Sequence, residues 1–491
     1  MKSTTSAWIL ALMFCAILTS SFQLVAQSPA GQTPTSTYRY RAVDMGTPLG
    51  GSKSTGCVPD CRYVNNQGTV VFNTNTPVSN QSFGVEWQNG RFTTLNPLPG
   101  GSYEFPYWTS DTNLVAGYSY NGALDPATGS PEIRAVLWDG GIPANLGTFG
   151  GSASLAWGVN DSGQVVGGAA NTTPDALAGD FYNVDPFPYQ VSTEIHAFLW
   201  DRGELHDLQT LGGPDSVAQY VNESGQVAGI SFTNSTPNAT TGLSTLDPFL
   251  WEYGQMKDLH SLGGTMGFVS GLNNQGHVIG TSNLAGDATS HPFVWQENRL
   301  IDLQTLGGDN GSAIWISDAG AVAGWADLSG SEVHHAFIWT NGEMKDLGTI
   351  GTDPCSTAYG MNARGQVVGN SGDGSGIESC GPKIHGFLWE NGGPMVDLDT
   401  LFAPLANGLQ YFGACCINNS GEILGSGKLP NGDIHALVLI PCDANHEDAP
   451  ACHASPTDVE IAAAPRTTPQ AAPGAAASGI INRNPHKPHS W

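Results

Sequence analysis

The stretch HAFIWTNGEMKDLGTIG, residues 335–351, decides the fold, because nearly everything between Tyr38 and Ile440 is a variation on it and on the pattern Ala358 to Gly369 that follows. A unit this short cannot bury its apolar face alone and must pack against a neighbouring copy. The repetition therefore predicts one repeat-built domain.

Four short segments recur in fixed order, each rich in β-branched or aromatic residues and bounded by glycine or asparagine, and each is read as a strand. Segments a and b join through four-residue turns: Asn65 to Gly68, Ser110 to Asn113, Asn160 to Gly163, Asn222 to Gly225, Asn273 to Gly276, Ser317 to Gly320, Asn362 to Gly365 and Asn418 to Gly421. A short acceptor first and glycine last suit a tight turn with positive φ at its end, and Asn113 is the non-glycine residue that best tolerates that conformation. A calcium loop would need alternating acidic ligands, which these turns lack.

Segment b is the Val-rich strand, as in Gln366 to Gly369. Segment c (Ala197 to Trp200, Ala336 to Trp339) is apolar on both faces and so belongs between two layers. Segment d is the DLxTLGG element, Asp207 to Gly213 and Asp302 to Gly308 among others, joined to c by a turn of about three residues and hence antiparallel to it. That pairing brings the histidine that opens many c segments (His196, His291, His335, His385, His435) to the aspartate of d, as a structural hydrogen bond. A ring of metal-binding histidines is disfavoured, since Asp247 and Arg134 replace the histidine in two copies.

Four antiparallel strands recurring at 44 to 62 residues, measured between Trp87, Trp138, Trp200, Trp251, Trp295, Trp339 and Trp389, predict an all-β, eight-bladed β-propeller of four-stranded blades spanning 38–441. The eighth d segment is displaced to the N-terminus, Tyr38 to Met45, so the first strand must complete the last blade. Such closure removes exposed sheet edges, and a monomer is expected.

The motifs HAFLW, DLxTLGG and VNxxGQVVG, in that order over residues 38 to 440, resemble those of the HAF-repeat family of bacterial extracellular proteins. The resemblance implies a repeat fold and export from a bacterium, and it implies no activity.

Outside the repeats, residues 1–26 carry Lys2, an apolar run from Trp8 to Leu18 and a Leu24-Val25-Ala26 ending, the layout of an export signal cleaved after Ala26. Residues 27–37 form a linker, and 442–491 a disordered tail, rich in Ala, Pro and Thr from 453 onward. Phe14 before Cys15 argues against lipidation, and no other apolar run is long enough to span a membrane. The chain has 64 glycines and a net charge of -26 from 43 acids and 17 bases. The glycines suit many tight turns, and the negative field would repel phosphate backbones, so nucleic acid is not an expected partner.

Eight cysteines remain after the signal, and in an exported chain disulfides are the default. Proximity suggests Cys57 with Cys61 and Cys442 with Cys452. Cys355 and Cys380 fall in loops of one blade on the same face, and a disulfide is expected there. Adjacent Cys415 and Cys416 resemble the vicinal disulfide of eight-bladed pyrroloquinoline-quinone dehydrogenases. The Trp-and-Gly docking motif of those enzymes is missing, so no cofactor and no metal are assigned.

Function is read from the loops. The a-b and c-d turns are short and constant, whereas the b-c connections swell unequally: Tyr118 to Glu132, Ala169 to Ile195, Ser231 to Leu246 and Asn370 to Ile384. The face carrying them is the expected binding face. Its longest loop holds Phe181, Tyr182, Phe187 and Tyr189 among acids, a mix suited to stacking on a glycan or meeting a protein partner. No nucleophile elbow, HExxH or phosphate-cradling loop occurs, and no catalytic residue is assigned. The expected role is a secreted binding or scaffolding module. The alternative is an extracellular glycan hydrolase or lyase with carboxylates converging on a central channel.

Overall fold

A computed structural model describes residues 38–56, 62–77, 79–177, 181, 191–330, 333–374, 380–381 and 383–443. The expected export signal, the linker and most of the tail lie outside the described residues, as do Cys57, Cys61 and Cys452. Among the described residues no helix is long and apolar enough to cross a membrane.

Strand β1 (Tyr40–Asp44) stands first and is set apart from the rest. The first sheet is β2 (Ser54–Thr55), β3 (Val70–Thr76), β4 (Ser79–Gln88) and β5 (Arg91–Thr94); the second is β6 (Glu104–Thr109), β7 (Leu114–Leu124), β8 (Pro131–Asp139) and β9 (Ile142–Asn145). The third is β10 (Ser154–Val159), β11 (Val165–Pro174), β12 (Thr193–Asp201) and β13 (Glu204–Asp207). Next come β14 (Ser216–Val221), β15 (Val227–Phe232), β16 (Leu246–Glu252) and β17 (Gln255–Asp258), then β18 (Gly263–Leu272), β19 (Val278–Leu284), β20 (Ser290–Gln296) and β21 (Arg299–Asp302). One parallel bridge, Leu246 to Met266, joins these two groups into an eight-stranded sheet. Then follow β22 (Gly307–Ile316), β23 (Val322–Leu328), β24 (His334–Thr340) and β25 (Glu343–Asp346), and β26 (Cys355–Met361), β27 (Val367–Gly372), β28 (Ile384–Trp389) and β29 (Val396–Asp397). The last sheet is β30 (Gln410–Ile417), β31 (Ile423–Lys428) and β32 (Ile434–Pro441), and β1 completes it in the order β1-β32-β31-β30.

The architecture is all-β, built of four-stranded antiparallel sheets of the β-propeller kind. Its chain ends meet in one sheet: Tyr40 lies opposite Pro441 and Asp44 opposite Leu437. His435 Nδ1 sits 2.8 Å from Asp44 Oδ1, so the displaced N-terminal strand supplies the aspartate that its sheet would otherwise lack.

The expected a-b turns form, and each closes with positive φ, from 65° at Asn113 to 88° at Gly421. Third-strand phenylalanines Phe198, Phe249, Phe293, Phe337 and Phe387 are fully buried between sheets, each worth up to about 3 kcal/mol of apolar transfer. The glycine that ends VVG has a close-approach reason: a Cβ at Gly167 would lie 1.9 Å from the Leu155 carbonyl oxygen, and one at Gly369 2.0 Å from that of Thr357.

Two expectations need correction. The DLxTLGG element is not itself the fourth strand. That strand is the four residues ending at the aspartate, as in Glu204–Asp207, and the remainder runs on to the next sheet. The reason is local: Gln209, at φ 67°, donates its N–H to Asp207 Oδ1 at 2.8 Å, which turns the chain out of the ladder. The long b-c connections are also partly sheet. Strands β7 and β8 stay paired out to Leu124 and Pro131, and β11 and β12 out to Pro174 and Thr193.

Candidate functional site

Seven of the innermost strands share one irregularity, a bulge three residues before the a-b turn. It falls at Tyr107, Trp157, Gln219, Ser270, Ile314, Tyr359 and Cys415. A bulge adds a residue to one strand and re-aims its side chains. The inner strands enclose a cavity of about 700 Å³ whose lining includes Trp108, Tyr220, Trp315 and Tyr359 beside Val, Ile, Leu, Ser and Gly. Trp108, Trp315 and Tyr359 keep part of their surface exposed, while Tyr220 is buried.

The second residues of the a-b turns (Asn66, Asp111, Asp161, Glu223, Asn274, Asp318, Ala363 and Asn419) also line this cavity. They are knit from sheet to sheet. Asn66 N–H donates to Asp111 Oδ1 at 2.8 Å, Asp111 N–H to Asp161 Oδ1 at 2.7 Å, and Asp161 N–H to Glu223 Oε2 at 3.1 Å. Glu223 N–H donates to Asn274 Oδ1 at 3.0 Å, Asn274 N–H to Asp318 Oδ1 at 2.9 Å, Ala363 N–H to Asn419 Oδ1 at 2.8 Å and Asn419 N–H to Asn66 Oδ1 at 2.9 Å. The chain is interrupted where Ala363 offers no side-chain acceptor to Asp318. Burial, with Asp161 nearby, pushes the Glu223 carboxyl above its ordinary range, and Arg62, 2.5 Å from Asp111, offsets part of the rim's charge.

First residues of the same turns bond likewise. The amide Nδ2 of Asn65, Asn160, Asn222, Asn273, Asn362 and Asn418 donates to the carbonyl of Ser110, Asn222, Asn273, Ser317, Asn418 and Asn65 respectively, at 2.7 to 3.1 Å. Asparagine here serves its own turn and the next sheet together. No such bond leaves Ser110 or Ser317, whose side chains are too short.

The predicted aromatic loop is represented by Phe181 alone. It is fully buried and packs edge-on against Phe232, with ring centroids 5.4 Å apart, so its surface is spent on packing. Tyr182, Phe187 and Tyr189 lie outside the described residues. The histidine-aspartate pairs form as expected, at 2.9 Å for His196 with Asp207 and His291 with Asp302, 3.0 Å for His335 with Asp346, and 3.4 Å for His385 with Asp397.

Cys355 and Cys380 are disulfide-bonded. The bond is buried beside His334, whose Nε2 lies 3.3 Å from Cys355 Sγ and 2.9 Å from Thr357 Oγ1, and burial pushes that imidazole down to about 4. Cys415 and Cys442 are also disulfide-bonded, with partners outside the described residues. Cys416 keeps a buried thiol 3.6 Å from Cys415 Sγ, so the vicinal disulfide considered for this pair does not form. Adjacent residues in an extended strand point to opposite faces, which favours separate partners.

Two further carboxyls are buried elsewhere. Burial pushes Glu104 up to about 8, although Gly84 N–H donates to its Oε1 at 2.9 Å. Burial, opposed by the Ile195 N–H and reinforced by Asp175, likewise pushes Asp215 up to about 8. Neither lines the axial cavity. The inner-strand bulges had little sequence signal beyond the small residue before most of them, and the aromatic lining could not be assigned without knowing which residue was bulged.

A β-propeller with an aromatic-lined axial cavity and a hydrogen-bonded polar rim is what fold and site define. Solved structures similar to the chain include the β-propeller domain of the trilobed protease from Pyrococcus furiosus, at 11% identity and TM-score 0.40, covering 71% of this chain and 100% of that one. TolB from Acinetobacter baumannii is similar at 13% identity and TM-score 0.31, over 70% of this chain and 79% of that one. The Trypanosoma rangeli sialidase is similar at 9% identity and TM-score 0.29, over 78% and 55%. No protein-family model and no curated protein matches the sequence.

Proposed function

We propose that the protein is an exported, eight-bladed β-propeller acting as a binding module, which seats the ring of a glycan in the axial cavity and meets larger partners at the long-loop end. The blade count is supported by the eight-stranded sheet, whose halves are tied by a single bridge and count as two blades, and by the bond from Asn418 to Asn65 that links the last a-b turn to the first. Export is supported by the buried disulfide and by the leading segment's sequence.

The observation carrying the reading is the pairing of partly exposed Trp108, Trp315 and Tyr359 with rim acids already engaged by neighbouring backbone N–H groups. Exposed aromatic faces in a concave site suit sugar stacking. Carboxylates fixed as structural acceptors are poorly placed to act as a free acid and base.

A glycan array of the purified chain tests this, followed by titration calorimetry on any glycan retained. Trp315→Ala and Trp108→Ala should each weaken binding roughly tenfold, about 1.4 kcal/mol. Retention of no glycan, or unchanged affinity in both variants, refutes it. Release of reducing ends during incubation would favour a hydrolase instead.

A further inference from the structure

In five sheets a histidine opening the third strand faces the aspartate ending the fourth. Among the sheets that lack this histidine, one brings two acids together. In β16 and β17 the register is the same, with Phe249 opposite Asp258 just as Phe198 is opposite Asp207, but the histidine's place is taken by Asp247. Two carboxylates therefore stand where an imidazole-carboxylate pair stands elsewhere.

Asp247 is only 7% exposed, and its Oδ1 has no hydrogen-bond donor. An imidazole returns from another position. His260 occupies the site held by Gln209 and Gln304 in neighbouring sheets, at a similar left-handed φ of 61°. Its N–H donates to Asp258 Oδ1 at 2.7 Å, and its ring Nδ1 lies 3.0 Å from Asp258 Oδ2. One donor atom from each of Asp247, Asp258 and His260 falls within 4.8 Å of the others. Two adjacent carboxylates repel each other unless a proton or a metal ion is shared between them, and the burial of Asp247 sharpens that demand.

We propose that Asp247, Asp258 and His260 form a binding site for a divalent transition-metal ion, with Zn²⁺ as the favoured ion. Two carboxylate oxygens and one imidazole nitrogen fit three ligands of a four-coordinate zinc, whereas Ca²⁺ would require six to eight oxygens. Asp247 anchors the site from inside, while His260 is exposed, leaving the remaining coordination position open to water or to a ligand. The site lies where the third strand begins and the fourth ends, at the long-loop end of the sheet and outside the axial cavity. It stands independently of the glycan-binding reading.

The test is zinc titration of the full, untagged, chelator-treated chain by calorimetry, comparing wild type with Asp247→Asn and His260→Gln. His260→Gln installs the side chain that two neighbouring sheets carry, so folding should survive, and circular dichroism of each variant checks this. The expected result is loss of one equivalent of zinc, or more than tenfold weaker binding at it, in both variants, with no matching equivalent for Ca²⁺ in the wild type. Sites in the His-containing tail would be unchanged, so the difference isolates this one. Equal zinc binding by wild type and folded His260→Gln, absence of saturable zinc binding, or preference for Ca²⁺ would overturn the proposal.

Discussion

Replacing Asp44 by alanine should loosen the sheet that joins the two ends of the propeller. Asp44 is 2% exposed and accepts three hydrogen bonds: from His435 Nδ1 at 2.8 Å, from Gly46 N–H at 2.8 Å and from Asn407 Nδ2 at 2.7 Å. Its loss strands all three donors in a largely buried setting. At about 1–3 kcal/mol for each donor left unpaired, discounted because water can reach Asn407, the cost should be about 4 kcal/mol. Unfolding entropy near 2.1 cal/mol/K per residue over roughly 400 cooperative residues gives about 0.85 kcal/mol per degree, so the melting temperature should fall by about 5 °C. Differential scanning calorimetry reads this directly. Asp346→Ala is the matched control, because Asp346 itself is solvent-exposed, so its pair with the partly covered His335 should be worth about 0–1 kcal/mol. The effect also has a pH signature. Burial would raise the Asp44 carboxyl, but the His435, Gly46 and Asn407 hydrogen bonds outweigh it and hold the carboxyl below its ordinary value. A depressed folded-state value means stability that is present above the unfolded value of about 3.9 and lost as pH falls through the folded one. The gap between wild type and Asp44→Ala should therefore be full at pH 6 and shrink below about pH 4. A variant melting within a degree of wild type at pH 6, or a gap that grows on acidification, would refute the reasoning.

Glu104→Gln should stabilise the protein more at pH 9 than at pH 5. The buried carboxyl, pushed up to about 8, stays protonated while the unfolded chain ionises, so the native state loses stability as pH rises from the unfolded value towards the folded one, and the amide removes that loss. Melting curves at the two pH values check it, and an equal shift at both would count against it. Cys355→Ala with Cys380→Ala removes a crosslink across a separation of 25 residues, which chain-entropy arguments value at about 3.5 kcal/mol. Calorimetry should show a fall of about 4 °C, and an unchanged melting temperature would mean that the crosslink constrains little in the unfolded chain.

Much of this architecture is written in local chemistry. Strand character alternates with Asn- and Gly-bounded turns, and both obey rules that operate within a few residues, so Asn160 to Gly163 and Asn362 to Gly365 are legible as turns without coordinates. The same holds for the pairing of His335 with Asp346, fixed by a short c-d turn, and for the strand Tyr40–Asp44, whose missing partner follows from counting segments. What lay between sheets was not legible. The bulge that re-aims the inner strands, the reach of the Asn222 amide to the carbonyl of Asn273 in the next sheet, and the burial of Phe181 against Phe232 depend on register and packing across distances that no short pattern encodes. Asp247 could be read in sequence only as a missing histidine. Its meeting with Asp258 and His260 was decided when the strand register set two carboxylates side by side and a left-handed turn folded an imidazole back over them.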